Sequence, residues 1–151
     1  MKLLIMGPPG AGKGTQAKIL AQKFNLVHLS TGDILRKEID RNSEVGLRAQ
    51  TYMNAGNLVP DEVLLEMMNS TLTELKDNGV ILDGFPRTIP QADGLSKIFQ
   101  SLNQDIDAII NIEVDKDVLI RRLVERAKNS GRADDTEEVI KNRQNVYLEL
   151  T

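Results

Sequence analysis

The residues best able to do chemistry begin in one run near the start of the chain, GPPGAGKGTQ at positions 7–16. Gly7, Gly10, Gly12 and Gly14 carry no side chain, so backbone N–H groups there can wrap a chain of phosphates. Lys13 adds a full positive charge for the outer phosphates. Thr15 adds a hydroxyl for a phosphate oxygen or a magnesium ion. Such a loop usually has Ser or Thr directly after the lysine; here Gly14 stands in that place and the hydroxyl comes one residue later.

A second set of polar residues lies in LSTGDILR, 29–36. Thr31 and Gly32 make a polar turn, Asp33 is placed to join the water shell of a magnesium ion, and Arg36 is within reach of the turn. A third set is VILDGFPR, 80–87. Asp83 ends an apolar strand, where a magnesium-organising carboxylate belongs; Gly84 lets a ligand approach the backbone, and Arg87 can fork onto a phosphate. The last set is arginine. Arg122 and Arg126 share a helix face at i, i+4, where like charges repel by about 0.2–0.5 kcal/mol and ask for an anion or a nearby carboxylate. Arg132 follows in a polar loop and Arg143 on the last helix. Four arginines converging on a triphosphate suit phosphoryl transfer, which needs alignment and charge stabilisation more than it needs a base. His28, the only histidine, sits between Val27 and Leu29 and reads as a strand residue.

The elements that must hold these groups alternate. Residues 2–6 read as a buried parallel strand, followed by a helix over 14–24 with Ala17, Leu20, Ala21 and Phe24 on one face. A short strand over 27–30 leads to a turn at 31–33 and helices over 34–41 and 44–55, with Gly56 as a C-cap. An amphipathic helix runs from Pro60 to Gly79, and Val80–Leu82 is a third buried strand. A helix over 91–102, a strand over 107–114, and a helix capped by Asp115 and ending near Arg126 follow. Residues 127–135 read as a polar loop, and Asp135 or Thr136 caps a last helix. Alternation of this kind predicts an α/β fold in three layers, a parallel sheet with helices on both faces. The helical stretch 31–60 and the loop 127–135 fall outside the alternation and read as mobile inserts.

A chain of 151 residues with 40% hydrophobic and 27% charged residues suits one globular domain. Its net charge of −3 argues against general binding to nucleic acid or membrane surfaces. No apolar run approaches the ~20 residues of a membrane helix. The absence of cysteine excludes disulfides and thiolate metal ligands, and fits a cytoplasmic location.

The motifs GPPGAGKGTQ, LSTGDILR, AGNLVPDE, LDGFPRT with Gln91, and RRLVERAKNSGRADD followed by KNR stand in one order that resembles the adenylate kinases over residues 1–151. The resemblance implies a P-loop fold and reversible transfer of the γ-phosphate of magnesium-ATP to AMP, giving two ADP. It assigns Gly10, Ala11, Gly12, Lys13, Gly14 and Thr15 to the ATP phosphates, with Arg122 and Arg126. Thr31, Gly32, Arg36, Asn57, Leu58, Val59, Gly84, Arg87 and Gln91 match the AMP side. Lys13, Arg87, Arg122, Arg132 and Arg143 match the residues that handle the transferring phosphate, with Arg132 and Arg143 also on the AMP side. Asp33 and Asp83 match carboxylates that order magnesium through water. In these terms the core is 1–30, 61–126 and 136–151, the AMP-binding insert 31–60, and a short lid 127–135. A monomer is expected. Thr31 and Gln91 favour AMP; the alternatives are a UMP/CMP kinase or a folded, inactive nucleotide-binding fragment. Two departures stand out. Family members continue for roughly one more strand and helix, without which one side of the fourth or first strand would lie open to pairing, including strand exchange between two copies. Gln144 also stands where the family usually has leucine.

Overall fold

A computed structural model describes residues 1–132 and 135–151. Its strands are β1 (Lys2–Met6), β2 (Val27–Ser30), β3 (Val80–Asp83) and β4 (Ala108–Asn111). Its helices are α1 (Lys13–Phe24), α2 (Thr31–Asp40), α3 (Glu44–Asn54), α4 (Asp61–Glu74), α5 (Ile89–Ser101), α6 (Lys116–Ser130) and α7 (Glu137–Leu150).

The strands form one parallel sheet in the order β2-β3-β1-β4. Side chains alternate across it because successive residues of a strand face opposite ways. Leu3 and Ile5 of β1 and Ile81 of β3 meet Ala17 and Ala21 of α1 on one face. Leu4, Val80 and Leu82 meet Met68 and Leu72 of α4 and Leu95 and Phe99 of α5 on the other. The result is the expected three-layer α/β arrangement. β1 is paired on both sides, so of the two strands expected to lie open only β4 is at the edge, with Ile109 60% exposed. No helix among the described residues is long and apolar enough to cross a membrane.

Several boundaries differ from the sequence reading, each for a local reason. Helix α2 begins at Thr31 and not after a turn, because the Ser30 hydroxyl accepts the Asp33 N–H and caps it. Helix α5 begins two residues early, since Thr88 caps it and Pro90 suits its first turn. Strand β4 is shorter than expected, because it pairs with β1 only from Leu3 to Met6. Helix α6 continues through Ser130 and stops at Gly131, which takes a left-handed φ of 61°. The loop expected over 127–135 therefore starts at Gly131, and its Ala133 and Asp134 lie outside the described residues. Phe24, expected on the buried face of α1, is 44% exposed with the Lys23 ammonium 5.6 Å from its ring centre.

Helices α2 and α3 pack closely enough that a Cβ on Gly46 would lie 2.2 Å from the Glu38 carbonyl oxygen. Glycine is the one residue that fits this crossing.

Candidate active site

The phosphate loop is held from behind. The Ala11 N–H donates to the Pro8 carbonyl at 3.1 Å, closing the turn before α1 opens at Lys13. The Lys13 ammonium donates to the carbonyls of Gly7 (2.9 Å) and Pro8 (3.2 Å), so it lies across the loop. Burial pulls its pKa down from the ordinary 10.5 to about 8, helped by the positive charges of Arg87, Arg143 and Arg126 and opposed by Asp83. Positive charge thus exceeds what the local carboxylates balance, at the positive end of a helix.

Of the residues singled out from sequence, all but Ala11 and Gln91 line one cleft at the carboxyl ends of the strands. Ala11 is buried beneath the loop, where its carbonyl accepts from Arg122 Nη1 at 3.4 Å. Gln91, expected against AMP, is fully buried behind the wall. Its Oε1 accepts the Arg87 backbone N–H (2.7 Å), and its Nε2 donates to Asp61 Oδ1 (2.8 Å), which also accepts from Thr88. Both ends of the amide are used in fixing the Arg87 segment, which turns Gln91 away from the cleft. Arg87 Nε donates to the Gly84 carbonyl at 2.8 Å, and the same oxygen accepts from the Thr31 hydroxyl at 3.1 Å.

The arginine pair on α6 finds two different partners. Arg122 reaches the loop, and Arg126 forms a fork onto Asp135, with Nε–Oδ2 at 2.9 Å. Ser130 donates to the same carboxylate at 2.9 Å, and Arg143 Nη1 lies 3.5 Å from Oδ1. Burial pushes the Asp135 carboxyl up, but the bonds from Arg126 and Ser130 and the charges of Arg126 and Arg143 bring it below the usual carboxylate range. The carboxylate that the i, i+4 spacing asks for is therefore Asp135. The helix cap is Thr136, whose hydroxyl accepts the Val139 N–H, so the alternative of an Asp135 cap is set aside.

On the opposite wall Asp33 pairs with Arg36, and Arg132 approaches it at 3.9 Å. Burial raises the Asp33 carboxyl, and its bonds to Arg36 and Ser30 with the charge of Arg132 more than reverse that. Asp83 is 7% exposed and faces His28, Nε2–Oδ2 3.1 Å. His28 is a strand residue as expected, yet it also lines the cleft.

The sequence reading missed the contribution of α7. Val146 and Tyr147 line the cleft with Arg143, at the i+3 and i+4 spacing that would have placed them on its face. Asn142 donates to the Ala55 carbonyl (2.7 Å) and Asn57 Oδ1 (2.8 Å), and the Thr151 hydroxyl to the Arg87 carbonyl (2.9 Å). The neighbouring Gln144 Nε2 donates to the Pro9 carbonyl at 2.9 Å.

Among the described residues no group of three or more His, Asp or Glu side chains is arranged to hold a metal. The side-chain carboxylates on the cleft wall are those of Asp33 and Asp83, and the Thr15 hydroxyl lines it as well. That set suits a largely hydrated magnesium ion carried on phosphates more than an ion caged by protein.

The adenylate kinase family model matches residues 5–151. The adenylate kinase of Leptospira biflexa is 48% identical over 147 residues, 97% of this chain and 79% of its own length. That of Bacteroides thetaiotaomicron is 46% identical over 152 residues, covering 100% of this chain and 80% of its own length. That of Prochlorococcus marinus is 48% identical over 150 residues, 99% and 80%. The anion-poised cleft and these likenesses agree: the chain belongs to the adenylate kinase family.

Proposed function

We infer that the cleft transfers the γ-phosphate of ATP to AMP, reversibly, to give two ADP. The observation that carries this is convergence. The phosphate loop with Lys13, and six arginines, Arg36 from α2, Arg87 after β3, Arg122 and Arg126 from α6, Arg132 after α6 and Arg143 from α7, line one cleft within one chain. In this reading Gly10 to Thr15 and Arg122 hold the donor phosphates, and Arg126 and Arg143, aligned by Asp135, meet the phosphate in transit. Arg36 and Arg87 hold the AMP phosphate, with Thr31 and Gly84 beside the base and Leu58 and Val59 lining its pocket. Gln91 acts through Arg87 by fixing its backbone. The reaction needs no protein nucleophile; fixed positive charge aimed at the equatorial oxygens and exclusion of water are what the residues supply.

Thr15, Asp83 and Asp33 are the residues that would hold a magnesium ion through its water shell, and such an ion would supply neutralisation of charge on the outer phosphates. The segment 31–60 closes over AMP.

The test is ADP formation from ATP, AMP and magnesium by residues 1–151. Turnover is expected, with CMP or UMP in place of AMP far slower. Lys13→Met and Arg87→Ala are expected to abolish turnover while retaining a cooperative melt. No ADP from the folded wild type would overturn the reading, and full activity in either variant would overturn that residue's assignment.

A further inference from the structure

We propose that Gln144 is a positioning residue for the ATP phosphates, acting through the Pro9–Gly10 peptide of the phosphate loop. The inference rests on the assignment of that loop to phosphate. Gln144 lies on α7, is 8% exposed, and its Nε2 donates to the Pro9 carbonyl at 2.9 Å across 135 residues of sequence. That carbonyl and the Gly10 N–H are two ends of one peptide unit.

The Gly10 N–H holds a particular place among the loop's donors. Positions 8 and 9 are both proline and offer no N–H, and the Ala11 N–H is spent on the Pro8 carbonyl. Gly10 is therefore the first backbone donor after Gly7 that the turn leaves for a ligand, and it lines the cleft. A hydrogen bond received at a carbonyl polarises the peptide and strengthens its N–H at the far end. Gln144 also fixes the orientation of the unit. Gly10 takes a left-handed φ of 84°, and a Cβ there would lie 2.9 Å from Leu123 Cγ, so α6 leaves no room for a side chain at this position while α7 holds the peptide's oxygen. Loss of the Gln144 amide would leave a buried carbonyl without this donor and the peptide free to rotate.

The bond acts on the phosphates equally before and during transfer, so its loss is expected in KM and not in kcat. The experiment is calorimetric titration of the full 151-residue chain with magnesium-free inorganic tripolyphosphate and, separately, with AMP. Gln144→Met, close in length but unable to donate, is expected to weaken tripolyphosphate roughly threefold to tenfold at pH 7.5, the worth of one hydrogen bond. AMP affinity is expected to stay within about twofold. In turnover the KM for ATP rises in step and kcat holds.

Gln144→Glu supplies a second arm. Burial favours the neutral carboxyl, which can donate, so at pH 5 this variant is expected to bind tripolyphosphate more tightly than Gln144→Met at the same pH. Equal weakening of both ligands in Gln144→Met, no weakening of either, or a Gln144→Glu variant no tighter than Gln144→Met at pH 5 would overturn the proposal. Wild type that binds no tripolyphosphate would instead overturn the loop's assignment, and this proposal with it.

Discussion

Lys13 makes a prediction that can be carried to numbers. Its pKa in the free site is about 8, against an ordinary 10.5, because burial and three arginines disfavour its charge. Bound phosphates bring negative charge to the same place, and charge of opposite sign favours the ammonium. Free Lys13 is about half charged at pH 8 and about one-tenth charged at pH 9, from the titration of a single site. With phosphate restoring its ordinary value, it stays charged at both. Binding of ATP should then take up about 0.5 proton at pH 8 and about 0.9 at pH 9, and the association constant should fall about tenfold between pH 7 and pH 9. A terminal phosphate with its last ionisation near pH 6 is already about nine-tenths ionised at pH 7 and adds little over that range. The sign for folding is opposite. The folded chain binds fewer protons at Lys13 than the unfolded chain between about pH 8 and pH 10.5, so this residue's contribution to stability improves as pH rises through that window. The assay is calorimetry of magnesium-free ATP in two buffers of different ionisation heat, at pH 8 and pH 9. Proton uptake should vanish in Lys13→Met. Wild-type binding at pH 9 without proton uptake would refute the reasoning.

Two further outcomes are expected. Asp135→Asn removes a carboxylate that is 1% exposed and leaves Arg126 and Arg143 facing a neutral amide. Breaking a buried pair costs about 3 kcal/mol or more, which for a chain of this size lowers Tm by roughly 6–12 °C. Because the folded Asp135 pKa is lowered, the gap from wild type should be full at neutral pH and close as pH falls through that value, as thermal melts from pH 7 to pH 3 would record. Gly46→Ala places a methyl against the Glu38 backbone, costing about 1–3 kcal/mol by forcing α2 and α3 apart. AMP affinity should fall and ATP affinity should not; titrations that leave AMP unchanged would show that the crossing does not set the AMP wall.

Much of the site was legible because its chemistry is local in sequence. A strand, four glycines and a lysine within fifteen residues carry their own geometry, and the structure builds strand, loop and helix there as read. Asp83 and Arg87 were legible for the same reason, being placed by one strand end. The partners across the fold were not. Asp135 sits beside Thr136, an equally good cap, and nothing in the order of those two residues reveals that the first turns inward to Arg126. Spacing shows that Gln91 neighbours Arg87, but not that Asp61, thirty residues earlier, takes up its amide nitrogen. His28 read as a strand residue because its apolar neighbours are strand neighbours; that its ring meets Asp83 depends on β2 pairing with β3 across fifty-five positions. Gln144 stood out only as a departure from the family's leucine until the loop it bonds was in place.

The middle of α7 has a consequence of its own. Asn142, Arg143 and Gln144 are consecutive, and a helix turns about 100° per residue, so the three side chains leave in three directions. One goes to the turn at residues 55–57, one to Asp135, and one to Pro9. The helix thus works like a cam, whose angle assigns each lobe to its follower. Substitution at any one of the three disturbs one follower. Deleting a single residue between 137 and 141 would rotate all three lobes together and leave every follower facing the wrong side chain, with the composition of the helix almost unchanged. Homologous chains should therefore keep the length of the helix ahead of these positions even where a single side chain among the three differs.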